Sequence, residues 1–333
     1  MSASAGSGPS GFQILAIDGG GVRGIFVAAL LAALEADLEE PVAEHFDLIV
    51  GTSTGGVIAL ALGAGLSPRE ILDFYLAWRS RIFPNRLGWR AMRHVFAAKY
   101  RPGPLQDALQ EVFGDTLLGA SSIPLVIPAY DLAESTVHLF KTSHHPRLRR
   151  DHRIPMWEVA MATTAAPTYL PAFRLRSEQS RLIDGGVWAN NPAMVGVTEA
   201  VSMFGRDLGE LRVLSLGTTA TARARPTNLD NAGVLRWARG PSVVEVLLRG
   251  QSVGAFTQVQ HLVGVENAHR LDPAAPEHTA IDRCDARELI AKASHHSRMF
   301  APTYKTVFAA HSPINYTPFH GVNSKRGVSN AAG

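Results

Sequence analysis

The pentapeptide Gly51-Thr52-Ser53-Thr54-Gly55 joins a mostly apolar run, Phe46–Val50, to a second one, Val57–Leu62. G-x-S-x-G in a strand–turn–helix setting is the pattern of a nucleophile elbow, in which a sharp turn pushes a serine oxygen clear of the backbone. Glycines two residues to either side leave room for the turn and for close packing of strand on helix. The surrounding stretch, Leu48 to Pro68, has 21 residues and no charge, which is enough length to cross a bilayer. Five glycines and the Ser53 turn interrupt it. It therefore reads as a strand and helix buried at the centre of a sheet.

Two further segments belong with this elbow. Phe12–Ile17 reads as a buried strand and runs into Asp18-Gly19-Gly20-Gly21-Val22-Arg23-Gly24, after which Ile25, Ala29, Leu30, Leu34 and Leu38 recur at helical spacing. Three glycines at a helix N-terminus expose successive backbone N–H groups at the positive end of a dipole, an arrangement that holds an anion. Downstream, Asp184-Gly185-Gly186 follows the short apolar Arg181-Leu182-Ile183. An aspartate there is free either to close an Asx turn or to point into a site. Ser53 itself has two readings, helix N-cap and nucleophile.

In this order, the segments DGGGVRG, GTSTGG and DGGVWANNP resemble the patatin-like phospholipases, and Ala165-Ala166-Pro167-Thr168-Tyr169 resembles a further patatin segment. The likeness covers roughly residues 12 to 220. It implies a lipid acyl hydrolase with Ser53 as nucleophile and Asp184 as its partner. Gly19, Gly20 and Gly21, with Arg23 beside them, would form the oxyanion hole. A typical carboxylate is a weak base, so a directly acting Asp184 calls for burial that raises its pKa. Arg23 is open between a solvated helix residue and one that pairs with a phosphate or steadies the loop.

Three other segments, Pro128–Leu132, His144–Arg150 and Leu182–Pro192, resemble bacterial patatin-like effectors of antiphage defence. That narrower likeness implies a cyclic dinucleotide activator, with a homo-oligomer or a moving lid as the route of activation. The partner would be a phospholipid membrane surface, met peripherally from the cytoplasm. Residues 144–153 hold four arginines and three histidines. Arg147, Arg149, Arg150 and Arg153 are either a solvated loop or a phosphate-binding surface. An unregulated housekeeping or storage-type hydrolase and a silent lipid-binding protein are the competing classes.

Two rival chemistries have partial support. A Ser-His-acid triad could recruit His261, His269, His278 or His295, all of which follow Asp184, though none lies in a recognisable motif. The glycine loop also satisfies G-x-G-x-x-G, a dinucleotide fingerprint. That reading wants an acid at the end of the next strand, where Gly51 stands, and it leaves Ser53 and Asp184 unexplained. No H-E-x-x-H or Cys/His cluster suggests a metal, and no cofactor is expected.

Strand-like and helical runs alternate, which implies a three-layer α/β fold. Its mostly parallel central sheet carries helices on both faces, and ligands sit at the carboxyl ends of the strands. Residues 1–11 read as a disordered leader without the features of a signal peptide, 12–320 as a single domain and 321–333 as a flexible tail. The region after about residue 220 has weaker signals and is expected to add flanking helices. A net charge of +3 gives no footprint for nucleic acid, and a single cysteine, Cys284, suits a reducing cytosol. Trp78, Phe83, Trp89, Met92 and Phe96 interleave with Arg79, Arg81, Arg86, Arg90 and Arg93. This pattern fits either an amphipathic cap on a membrane or a packed helix with a basic outer face.

Overall fold

β1 (Phe12–Ile17) has both faces buried, as a strand at the centre of a two-sided sheet must. The computed structural model describes residues 11–84, 98–176, 180–219, 243–275 and 279–321. Residues 1–10 of the expected leader, 322–333 of the expected tail, His278, and Arg86, Trp89, Arg90, Met92, Arg93 and Phe96 of the interleaved stretch lie outside the described residues.

The other strands are β2 (Leu48–Gly51), β3 (Leu125–Asp131), β4 (Thr136–Lys141), β5 (Leu182–Asp184), β6 (Leu211–Leu216) and β7 (Ala268–Leu271). They form a seven-stranded sheet in the order β4-β3-β2-β1-β6-β7, with β5 also paired to β3. β1, β2, β3, β6 and β7 are parallel, and β4 and β5 run antiparallel to β3. The expected mostly parallel sheet is therefore present. Besides the expected helices after residue 220 there is a strand, β7, whose Ala268-His269-Arg270-Leu271 extends the sheet beyond β6. With only two apolar residues among four, it lacks the apolar run that marks the other parallel strands.

Alternation along β1 divides the interior in two. Leu15 and Ile17 face a core built with α1 (Gly24–Leu38), α2 (Thr54–Gly63), α3 (Pro68–Ile82), α4 (Gly103–Phe113), α5 (Met156–Thr164) and the long C-terminal helix. Phe12, Ile14 and Ala16 face the other core, supplied by α7 (Ala193–Phe204) and α8 (Val243–Val263). The short α6 (Gly186–Ala189) links β5 to α7. The C-terminal helix, α9, spans Ala286–Tyr304. Its second half buries Ser297, Phe300 and Tyr304, one turn apart, so tertiary packing extends it. Among the described residues, no helix is long and apolar enough to cross a membrane.

The arrangement at β3 positions the site. β2 pairs only with its first residues, Ile49 with Leu125 and Val50 with Val126. β5 then enters antiparallel and pairs Leu182, Ile183 and Asp184 with Asp131, Tyr130 and Ala129. The two strands approach each other head-on along β3, so the turn after β2 and the end of β5 must meet.

On the opposite face α7 lies close to the sheet at Gly196, where an added Cβ would stand 2.8 Å from Ile14 Cγ2 and 3.2 Å from Val50 Cγ2. Gly196→Val should therefore overpack this contact and lower stability by roughly 2 kcal/mol. Urea unfolding checks this, with an unchanged midpoint as the contrary result.

Candidate active site

Ser53 occupies a sharp turn with φ 54° and ψ −122°, a conformation that few non-glycine residues adopt. The Ser53 N–H donates to Thr163 Oγ1 at 2.9 Å, and the Thr163 hydroxyl donates to Pro128 O at 2.6 Å. Thr52 Oγ1 donates to Ala189 O at 2.6 Å, tying the turn to the segment after β5. The flanking glycines are sterically required: a Cβ on Gly51 would lie 2.2 Å from Gly55 O, and one on Gly55 would lie 2.3 Å from Ile17 O.

Asp184 is buried at the end of β5, and its Oδ1 accepts the Gly186 N–H at 2.7 Å. The Ser53 hydroxyl is near enough to this carboxylate to favour its charged form. Burial raises its pKa from 3.8 to about 6, against the lowering by the Ser53 hydroxyl and the Gly186 hydrogen bond. A carboxylate with this pKa is a better proton acceptor than a solvated one and is still ionised at neutral pH.

The glycine loop packs directly on the elbow, so that a Cβ on Gly19 would lie 3.3 Å from Ser53 Cβ and 2.6 Å from Asn190 Oδ1. The structure divides the loop's donors. The Gly19 N–H goes to Asn190 O at 3.0 Å and the Val22 N–H to Ile281 O at 2.8 Å. Gly19, expected among the anion donors, is thus a structural member whose N–H is already used. Among the described residues no acceptor takes the N–H of Gly20 or Gly21, and both line the cavity that contains Ser53. Gly21 has φ 58°, and a Cβ there would lie 2.2 Å from Ile281 O. Arg23 stands over the back of the loop, with Nε donating to Gly20 O at 3.2 Å and Nη1 to Thr219 O at 2.8 Å. Of its open readings, the geometry matches a loop brace.

That cavity has a volume of about 240 Å³ and is walled largely by apolar side chains, among them Phe74, Trp78, Ile82, Leu109, Leu170 and Leu248. Trp78 and Phe83 of the interleaved stretch face this cavity, while Arg81 lies over the Trp78 ring at 4.8 Å. Among the described residues no histidine lines it. His261, His269 and His295 are elsewhere: His269 Nε2 meets Glu266 O, and the other two lie at the surface of α8 and α9.

The arginine run lies far from Ser53. β4 is antiparallel to β3 and its last residue, Lys141, pairs with Val126. The chain after it therefore emerges at the amino ends of the parallel strands, opposite the elbow. Arg147, Arg149 and Arg153 are exposed there. Arg150 is engaged, with Nε at 2.5 Å from Asp151 Oδ1. Two histidines of the run are buried, and His144 is held between Thr142 and Glu199, so this segment is only partly a solvated loop.

Thr163, Asn190 and Thr218 escaped the sequence reading. Thr218 Oγ1 donates to Gly19 O at 2.8 Å, so all three hold the backbone of the elbow or the loop. Small polar residues in such roles carry no spacing signal. Only the Asn190-Asn191 pair, adjacent to the DGG, lay within a recognisable motif.

The patatin-like phospholipase family matches residues 15–197 of the chain. A cGAMP-activated phospholipase of Pseudomonas aeruginosa is 32% identical over 324 residues, covering 94% of this chain and 96% of that protein. A cGAMP-activated phospholipase of Vibrio cholerae is 35% identical over 227 residues, covering 62% of this chain and 64% of that protein. Patatin-like protein 2 of Arabidopsis thaliana is 32% identical over 266 residues, 67% of this chain and 64% of that one. The chain belongs to the patatin-like phospholipase family. It is, accordingly, a hydrolase of the phospholipase class.

The shifted carboxylate has a consequence for stability. Asp184 binds its proton more tightly folded than unfolded, so the wild-type protein loses stability as pH rises from about 4 through 6. Asp184→Asn removes that titration and keeps an acceptor for Gly186. The variant should be more stable than wild type at pH 7.5, by on the order of 2 kcal/mol. Its advantage should shrink towards pH 4. Urea unfolding at the two pH values is the check, and an equal difference at both would count against it.

Proposed function

We propose that the protein hydrolyses glycerophospholipid esters with a Ser53–Asp184 dyad and that a cyclic dinucleotide switches this activity on. The observation that carries the dyad is the buried Asp184 carboxylate, raised to about 6, beside the hydroxyl of a serine held on a strained turn.

Ser53 Oγ attacks the ester carbonyl while its proton passes to Asp184. The carbonyl electrons move to the oxygen, which takes hydrogen bonds from Gly20 and Gly21, with Arg23 fixing the carbonyl of Gly20 behind them. Collapse of this intermediate breaks the ester bond, and the departing lysophospholipid oxygen takes the proton from Asp184. Water then attacks the acyl-serine and gives its proton to Asp184, and Ser53 leaves with that proton as a free hydroxyl. The apolar cavity receives the acyl chain. The substrate lies in a membrane, which the protein meets as a peripheral enzyme from the cytoplasm.

Support for the activator comes from relatives named cGAMP-activated phospholipase, one of which is matched over nearly its full length. A cyclic dinucleotide carries two phosphates, and Arg147, Arg149 and Arg153 offer exposed cations to them. The activator must bind active and inactive states unequally, by assembly of copies or by opening access to the cavity. Restraint until signalled suits a phospholipase of antiphage defence, since the host's own membrane is the target.

Hydrolysis of mixed phospholipid vesicles, with and without micromolar cyclic GMP–AMP, tests both parts. Ser53→Ala and Asp184→Asn should each lower the rate by about three orders of magnitude or more, and the double variant should be little worse than either. An Asp184→Asn enzyme with more than about a tenth of wild-type activity would sink the dyad. High basal activity that no cyclic nucleotide raises would leave an unregulated hydrolase. Joint replacement of Arg147, Arg149 and Arg153 by Ala should abolish activation while sparing basal hydrolysis. Undiminished activation in that variant would place the nucleotide elsewhere.

A further inference from the structure

Asp18, the residue before the glycine loop, is buried at the carboxyl end of β1. No hydrolytic step uses it. Its carboxylate is gripped from β7: Arg270 Nη2 donates to Oδ2 at 2.6 Å and Arg270 Nη1 to Oδ1 at 3.2 Å. This two-pronged grip is the strong, orienting form of an ion pair.

The sheet explains why Arg270 reaches there. Ala16, Ser215 and Arg270 stand beside one another on β1, β6 and β7. Asp18 and Asp272 follow two residues after Ala16 and Arg270, on the same face by strand alternation. Arg270 Nη1 also donates to Ser215 Oγ at 2.6 Å, and that oxygen accepts Asn191 Nδ2 at 3.2 Å. Its Nη2 reaches Asp272 Oδ2 at 3.0 Å, which Arg249 of α8 engages as well. The guanidinium carbon sits 5.7 Å from the centre of the Phe256 ring. Ser252 of α8 lies near enough to Asp18 to favour its charged form and accepts Asn190 Nδ2 at 2.9 Å. Asn190 O in turn holds the Gly19 N–H. One side chain therefore joins the start of the glycine loop to the segment that follows Asp184.

We infer that Arg270 is a positioning residue for the hydrolytic site: by gripping Asp18 and Ser215 it fixes the glycine loop against Asn190 and so aims the Gly20 and Gly21 N–H groups at the developing oxyanion. The inference rests on the proposed role of that loop as the anion site. Donors fixed before the reaction are worth most in the transition state and little in substrate binding, so loss of the brace should fall on kcat.

A charge effect separates this from a merely structural ion pair. Burial raises the Asp18 pKa to about 6, and Arg270 is the chief influence holding it down. Among the described residues, the charged groups facing Asp18 are Arg270 and Asp272 from β7, with Arg249 behind Asp272, and Ser252 is the neutral group from α8. Without Arg270, Asp18 is buried near a second carboxylate and takes up a proton at higher pH.

The test measures kcat and KM on mixed phospholipid vesicles from pH 5 to 9, with and without cyclic GMP–AMP, for wild type, Arg270→Met, Arg270→Lys and Asp18→Asn/Arg270→Met. Ser53→Ala serves as the control: residual hydrolysis in it would overturn the reading of the site, independently of Arg270. For Arg270→Met we expect kcat about 30-fold lower with KM within about twofold, and an acid limb moved up by roughly one pH unit. In the Asp18→Asn double variant the limb should return to its wild-type position, since the titrating group is gone. Arg270→Lys keeps the charge and loses the fork, so its kcat should fall between the two with a smaller limb shift. If Arg270→Met does not fold, Arg270→Lys alone decides the matter through those two readouts. An unmoved acid limb, or a loss confined to KM, would overturn the positioning role.

Discussion

One edge of β3 serves two strands, and the candidate site follows from that sharing. β2 occupies the edge at Leu125 and Val126, and β5 occupies it from Ala129 to Asp131. Neither strand can continue, because each blocks the other. β2 escapes through the Ser53 turn into α2, and β5 stops at Asp184 and turns through Gly185 and Gly186. A Cβ on Gly185 would stand 2.3 Å from Pro128 O, so the turn must pass this close to β3. A strained φ at Ser53 costs on the order of 1–3 kcal/mol. The hydrogen bonds from Ser53 N–H to Thr163 and from Thr52 to Ala189 hold it there, within a sheet whose strands fix both ends. The strain thus belongs to the sheet topology as much as to the elbow.

Burial raises two aspartates near Ser53 to about the same value by way of different surroundings. Asp18 is pushed up by desolvation and drawn down by a guanidinium within hydrogen-bond reach. Asp184 is pushed up by desolvation and, among the described residues, drawn down by neutral donors, the Ser53 hydroxyl and the Gly186 N–H. A carboxylate beside a cation has its charge committed and is a poor place to deliver a proton. One surrounded by neutral donors has no such commitment. Among the described residues no cation partners Asp184, which suits it to the proposed proton transfer, whereas the presence of Arg270 suits Asp18 to the proposed role of holding a backbone in place.

The elbow, the glycine loop and the DGG were legible because each rests on glycines that sterics require, and such glycines recur at fixed offsets from the side chain they serve. Gly51 and Gly55 are examples, each facing a carbonyl oxygen across a gap too small for a Cβ. The alternation of apolar runs likewise gave the parallel sheet and its two helical layers. β7 was not legible, since Ala268-His269-Arg270-Leu271 has no apolar run and its burial comes from neighbours distant in sequence. Arg270 went unseen for the same reason: its partner Asp18 lies 252 positions away. Gly19 shows the limit in the other direction. A glycine run identifies a set of backbone donors, but which of them are free depends on Asn190 and Ile281, whose carbonyls the sequence does not place.

The apolar wall around Ser53 acts on both binding and chemistry. Phe74, Trp78, Leu109, Leu170 and Leu248 offer a surface from which an acyl chain displaces water. The same exclusion of water is what raises the Asp184 carboxylate, so a more polar wall would weaken the base as well as the binding. Desolvation also strengthens the hydrogen bonds that Gly20 and Gly21 can give an oxyanion, because a low local dielectric magnifies them. In the proposed reaction, acyl recognition, base strength and oxyanion stabilisation are then coupled through one set of side chains. A substitution in this wall cannot, in that reaction, be assigned to binding alone, since filling the cavity with hydrocarbon would complete the medium in which Asp184 is to accept the proton.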